Sequence, residues 1–234
     1  MDSLTTGSVT FDLAQTPLRE INHYLHYNLT QNGGQKISIL NPDGAHNIAV
    51  GIDTPVEVEI LGHAGYYAAS MNKLANVTIE GNAGTGVAEN MMSGRVHIKG
   101  FASVSAGASA HGGLLIIDGD ASLRCGISLK GADIVVGGSV GSFSGFMAQA
   151  GRIVVCGNAG EALGDSLYEA VIYVRGNIKS LGADAQLEPM SEADYRAVAE
   201  LLDKAGFSYD PKEFKRVASA KQLYHWNADA NQEY

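Results

Sequence analysis

The residues that could do chemistry are few. The stretch VTIEGNAGTG at 77–86 has a β-branched pair, an acidic residue and then glycines, which is how a strand entering a phosphate-cradling loop begins. A dinucleotide fingerprint needs G-x-G-x-x-G opening a helix, and a phosphate loop needs Gly-Lys-Ser/Thr; neither is present. His23 and His26 are three apart on an expected helix, a spacing compatible with one metal, but no third ligand follows in a recognisable spacing, so a pair of surface histidines is the plainer reading. Cys125 and Cys156 fall in no CxxC or Cys/His pattern, which argues against zinc and iron–sulfur sites. No GxSxG or HExxH arrangement occurs. The sequence therefore assigns no catalytic, cofactor-binding or metal-binding residue.

The elements that carry these residues explain the glycines. Gly62, Gly81, Gly100, Gly119, Gly138, Gly157 and Gly176 follow one another at a constant spacing of 19 residues with no insertion. Seven registers that agree make a repeat architecture. With each of these glycines as position zero, position −4 holds Val58, Val77, Val96, Leu115, Ile134, Ile153 and Ile172, and position −2 holds Ile60, Ile79, Ile98, Ile117, Val136, Val155 and Val174. Aliphatics alternating over a short run predict a strand with one buried face.

The simplest solution is one coil per repeat, each strand stacked in parallel on the last about 4.8 Å away: a single-stranded parallel β-helix of about seven coils, right-handed like nearly all parallel crossovers. Small residues also recur in register. Position +7 runs Ala69, Ala88, Gly107, Gly126, Gly145, Gly164 and Ala183, as expected where a narrow coil turns sharply, and the glycines at zero are expected to take positive φ. The reading divides the chain into a capping segment with a helix (1–35), the β-helix (36–185), and C-terminal helices with an extended arm (186–234).

On the outer face, position −3 runs Glu59, Thr78, His97, Ile116, Val135, Val154 and Tyr173, changing from polar to apolar midway. Four stacked apolar residues predict a cover, either the chain's own termini or another chain, and Ile116, Val135, Val154 and Tyr173 are candidate interface residues. Cys156, at position −1 with Glu80, Lys99, Asp118 and Arg175, is expected to point outward to the surface. Thr16-Pro17 opens an expected helix with Leu18, Ile21, Leu25 and Leu29 in a stripe that caps the first coil, and Lys36–Leu40 and 47–52 read as irregular strands of an incomplete opening turn. Ser191 with Asp194 three residues on marks a helix carrying Tyr195, Val198, Leu201 and Leu202 and closed by Gly206; Asp210-Pro211 opens a shorter one. The tail reads as an extended arm whose aromatics Tyr224, Trp226 and Tyr234, further candidate interface residues, anchor in pockets either on its own solenoid or on a partner.

Composition narrows the class. The chain has 234 residues, 45% hydrophobic, enough for a sizeable core, and 29 glycines without a collagen period. A net charge of −9 with no basic cluster argues against nucleic acid and anionic membrane. No run of 18 apolar residues and no signal-like N-terminus is present, so a cytoplasmic protein is expected.

The unbroken repeat, with glycines at zero, +3 and +7 in GSVGSFSG (138–145) and GNAGEALG (157–164), resembles the GXGXG domain family. Ser103 and Ser122 at +3 depart from that pattern, as do Lys179 and Ala183 in the last repeat. The family includes the C-terminal domain of the glutamate synthase large chain, a formylmethanofuran dehydrogenase subunit, and the freestanding glutamate synthase-like subunit of N-methylglutamate synthase. The helix TPLREINHYLHYNL and the segment FKRVASAKQLYHWN look most like the last of these. That resemblance implies a non-catalytic subunit in a higher-order hetero-oligomer. Its partners would be a class II amidotransferase-like subunit and a subunit carrying FMN and an iron–sulfur cluster, in an enzyme that converts glutamate and methylamine to N-methylglutamate and ammonia. A formylmethanofuran dehydrogenase-type scaffold and a stand-alone binding module are the alternatives.

Overall fold

A computed structural model describes residues 7–29 and 34–221. The 19-residue period folds as read. Strands β1 (Ser8–Asp12), β2 (Lys36–Leu40), β3 (Glu57–Leu61), β4 (Lys73–Ile79), β5 (Ser93–Ile98), β6 (Leu114–Ile117), β7 (Lys130–Val136), β8 (Ala150–Val155) and β9 (Val171–Val174) stack in parallel in sequence order. The predicted ladders are the register of this sheet: Val58, Val77, Val96, Leu115, Ile134, Ile153 and Ile172 oppose one another strand by strand, two residues from the ladder of Ile60 to Val174. Both are buried in one continuous core. On another wall Ala64, Ala83, Ala102, Ala121, Val140, Ala159 and Ile178 form single parallel bridges, where small side chains let the coil narrow.

Strand β1 and the two C-terminal strands lie outside the repeat. β1 pairs with β2 in a segment that reads as a helical cap alone. After β10 (Ala185–Glu188), α2 (Glu192–Ala205) and a three-residue turn of 3₁₀ helix (Pro211–Glu213), the chain reverses. β11 (Lys215–Ser219) then inserts antiparallel between β9 and β10, placing Val217 over Ile172 at the end of the core. The shorter helix expected at Asp210-Pro211 is a single capped turn that feeds a strand.

The caps form for local reasons. α1 (Leu18–Tyr27) buries Ile21 and Leu25 against the core, and Asn22 pins it to the opening turn by donating to Asn47 O at 2.8 Å and accepting from Ala49 N at 3.1 Å. At α2, Ser191 and Asp194 close the predicted capping box and Gly206 ends the helix at φ 80°.

The glycine columns act differently from expectation. Among the seven glycines at position zero only Gly62 has positive φ, at 148°. The others are required by proximity: a Cβ on Gly138 would lie 2.2 Å from Asp120 Oδ1 and 2.8 Å from Gly119 O, because its N–H bonds to that carbonyl at 3.0 Å in the coil before. Left-handed backbone belongs instead to positions +5, +7 and +9, for example Ser105, Gly107 and Ser109 at 61°, 67° and 53°. The same alternation at Asn47, Ala49 and Gly51 corrects the reading of 47–52 as a strand. It is the corner turn of the opening coil, and left-handed residues at every second place cannot lie in a ladder.

Candidate functional site

The apolar half of the outer face lies under the chain's own helix. α2 presents Val198, Leu201, Leu202 and Ala205, at helical spacing, to Ile116, Val135, Val154 and Tyr173, and Phe214 completes the cluster. Fully burying a valine, leucine or phenylalanine contributes about 1.5–3 kcal/mol, so the contact is strong enough to hold the helix in place. Of the two predicted covers the structure therefore shows the terminal one, and the four strand residues are interior contacts rather than a subunit surface. Tyr224, Trp226 and Tyr234 lie outside the described residues.

Polar bonds at the rim set the register of this contact. Tyr173 Oη donates to Asp194 Oδ1 at 2.7 Å, and the Arg216 guanidinium bridges Asp194, at 3.2 Å, to Glu188. Burial pushes the Asp194 carboxyl up, but hydrogen bonds from Ser191 and Tyr173 outweigh it and hold the group below its ordinary value. Burial and the Asp194 bond push the Tyr173 phenol well above its own.

The cysteines are not nucleophiles. Cys125 sits in the coil interior and Cys156 under Phe214 and α2, and burial pushes each thiol up to about 12, so both are protonated at neutral pH. For Cys156 this corrects the expectation of a surface position: its side chain does leave the coil, but the C-terminal segment covers it.

The histidines are occupied structurally. His26 Nε2–H donates to the Val50 carbonyl at 2.6 Å, and the His23 ring packs 4.8 Å from Tyr27, so the pair fastens and decorates α1. His46 Nδ1 and His63 Nδ1 accept the backbone N–H groups of Tyr66 and Asn82, each at 2.9 Å, which fixes the remaining ring proton on Nε2 and leaves no lone pair for a metal. Among the described residues no group of three or more histidine, cysteine or carboxylate side chains is placed to hold a metal ion. His97, on the polar half of the outer face, pairs with Asp118 at 2.7 Å, and Lys99 approaches the same carboxylate at 3.7 Å.

What remains is surface. A cleft of about 560 Å³ at the N-terminal corner is lined by Leu13, Asn41, Asp43 and His63 among others, and offers no nucleophile and base in contact. At the coil corners Tyr67, Met71, Phe143 and Met147 are between 42% and 51% exposed and occupy left-handed positions +5 and +9, where the other coils carry Gly86 and Asn90, Ser105 and Ser109, Arg124 and Ser128, or Ala162 and Ser166. Bulky residues in left-handed backbone cost stability, and these leave about half of each side chain in solvent. Sequence columns placed these residues at +5 and +9, but only the backbone angles single them out. No helix among the described residues is long and apolar enough to cross a membrane.

No protein-family model matches the chain. Protein GlxC of Rhizobium meliloti (strain 1021) is 55% identical over 221 residues, which span 93% of this chain and 96% of that protein.

Proposed function

The chain belongs to the GlxC family, and from this premise we propose that it is a non-catalytic scaffold subunit of a heteromeric glutamate synthase-like enzyme of the N-methylglutamate synthase type. In this reading it holds a class II amidotransferase-like subunit and an FMN/iron–sulfur subunit in register, and walls part of the path by which an amine passes between them. The GXGXG resemblance of the repeat, stated above on GSVGSFSG and GNAGEALG, points the same way.

The observation that carries the proposal is the division of the molecule into a self-satisfied interior and an unsatisfied corner. Core, ends and apolar stripe are closed by the chain itself, the thiols are enclosed, and His26, His46, His63 and His97 are bonded. Tyr67, Met71, Phe143 and Met147 stay exposed at a cost in backbone energy. A rod of fixed repeat with two such pairs four coils, or roughly 19 Å, apart suits the holding of large partners at a set separation. FMN and an iron–sulfur cluster then belong to the partner: the two cysteines of this chain are buried in separate clusters and offer no common set of thiolates.

The test is copurification with the products of neighbouring genes, followed by an assay for N-methylglutamate formed from glutamate and methylamine. A complex containing an amidotransferase-like and an FMN-bearing chain is the expected result. Monomeric behaviour with no FMN-containing partner would overturn the proposal. Deletion of 223–234 tests the aromatic tail, with weaker assembly of an otherwise folded chain expected.

A further inference from the structure

Position +1 of the repeat carries a second ladder, built from side chains bonded to backbone. His63 Nδ1 accepts the N–H of Asn82 at 2.9 Å, and Asn82 Oδ1 that of Phe101 at 3.1 Å. Asp120 Oδ1 accepts from Ser139 at 2.7 Å, Ser139 Oγ from Asn158 at 3.0 Å, and Asn158 Oδ1 from Asn177 at 2.8 Å. Each rung spans one coil of 19 residues. The series breaks once. Phe101 has no acceptor, so the Asp120 N–H finds none among the described residues, and the Phe101 ring stands 52% exposed.

Of the three departures from glycine at position +3, two, Ser103 and Ser122, fall in the same two coils; the third, Lys179, lies in the last repeat. With Phe101, Ala102, Asp120 and Ala121 they line one notch of about 400 Å³. Neither serine hydroxyl has a bond within the described residues, and Leu123, the residue after Ser122, is 47% exposed. The notch thus gathers unpaired donors, an unpaired acceptor and apolar side chains at positions that meet in space.

The chemistry of the notch selects a ligand class. The Asp120 N–H is open to an acceptor from a ligand, and Asp120 Oδ2, which has no partner among the described residues, is open to a donor close by. An anion satisfies the first but is repelled by the carboxylate; a cation satisfies the second but not the first. A neutral carboxamide supplies both groups at adjacent atoms, with apolar substituents over Phe101 and Leu123.

We propose that Phe101, Ser103, Asp120 and Ser122 form a binding site for a carboxamide. Its source is either the main chain of an extended polypeptide or a small primary amide, and because the site is tested on this chain by itself, its failure is separate from that of the scaffold role. The test is an amide-resolved ¹H–¹⁵N titration of the full chain with two probes, N-acetyl-leucine N-methylamide and propionamide. Saturable shifts at Asp120, Ser103 and Ser122 are expected, with the blocked leucine favoured if the source is a polypeptide and propionamide equal to it if the source is a small amide.

Phe101→Asn restores the missing rung. It is expected to slow exchange of the Asp120 amide about tenfold, as a closed hydrogen bond does, and to abolish the shifts. Phe101→Leu, which leaves the rung open and the flank apolar, is expected to retain them. Absence of shifts with both probes, or equal shifts in wild type and Phe101→Asn, would overturn the site.

Discussion

Tyr173, in the last parallel strand, donates its hydroxyl across 2.7 Å to Asp194, the third residue of α2 and the partner of Ser191 in its capping box. One carboxylate thus caps the helix and anchors it to the sheet. Removing the hydroxyl in Tyr173→Phe leaves the packing in place and deletes a bond to a charged acceptor, worth about 1.5–3 kcal/mol. The expected result is a lower thermal midpoint with an unchanged far-ultraviolet circular dichroism spectrum, and no change in midpoint would show the bond to be dispensable.

The same carboxylate makes the contact acid-sensitive. Asp194 is held below its ordinary value of 3.8, so its contribution is fully present above that value and is lost as pH falls through the lower folded-state pKa. Stability measured by denaturant titration is expected to fall with pH in this acidic window, and less so in Asp194→Asn, where nothing titrates. An equal fall in both proteins would assign the acid sensitivity to other carboxylates.

The two cysteines report different events. Cys156 is enclosed by α2 and Phe214, Cys125 by the coil itself, and both thiols are pushed up to about 12. Neither is expected to react with a thiol reagent in the native protein at neutral pH. On gradual denaturation Cys156 is expected to react first, because undocking one helix costs less than opening the coil. Simultaneous labelling would show that helix and coil unfold as one unit.

How far the fold can be read from sequence depends on whether a signal is repeated or made once. The ladders from Val58 to Ile172 and from Ile60 to Val174 are legible because a strand with one buried face writes itself as alternating aliphatics, and seven copies remove ambiguity. Ser191 and Asp194 are legible because a capping box is local. β11 is not, since KRVAS has no repeat partner and its place between β9 and β10 depends on α2 carrying the chain back. The cover over Ile116 and Tyr173 is half legible: the stripe shows that something must lie there, but a helix face does not name the surface it meets. The corner residues Tyr67 and Phe143 escape notice because their signal is a backbone angle, and residue identity alone does not display it.

Backbone strain yields a stabilising substitution. Leu74 has φ 102°, while Gly131, at the same place three coils later, has 138°. Both fall where the sheet register shifts, between Lys73 and Asn76 and between Lys130 and Asp133. Leu74 is half exposed and has little packing to lose. Relief of a strained φ is worth about 1–3 kcal/mol against about 0.5–1 kcal/mol of added chain entropy for glycine, so Leu74→Gly is expected to raise the thermal midpoint. A lower midpoint would show that the side chain packs more than its exposure implies.

The corner residues separate folding from assembly. Replacing Tyr67, Met71, Phe143 and Met147 together by serine removes four exposed side chains from left-handed positions that serine already occupies at Ser105, Ser109, Ser128 and Ser166. About half of each side chain is buried and the Phe143 ring meets Phe146 edge-on at 6.1 Å, so the midpoint of the isolated chain is expected to fall while its circular dichroism spectrum stays that of the folded coil. If the corner holds partners, these aromatic and methionine side chains are the kind that dominate interfaces, and losing them is expected to weaken assembly at least tenfold in a copurification or sedimentation experiment. Restoring only Tyr67 and Met71, or only Phe143 and Met147, then asks whether the two pairs serve one partner or two, since a pair that serves a single partner restores that partner alone. Full assembly by the quadruple variant would show that the corner is not the interface.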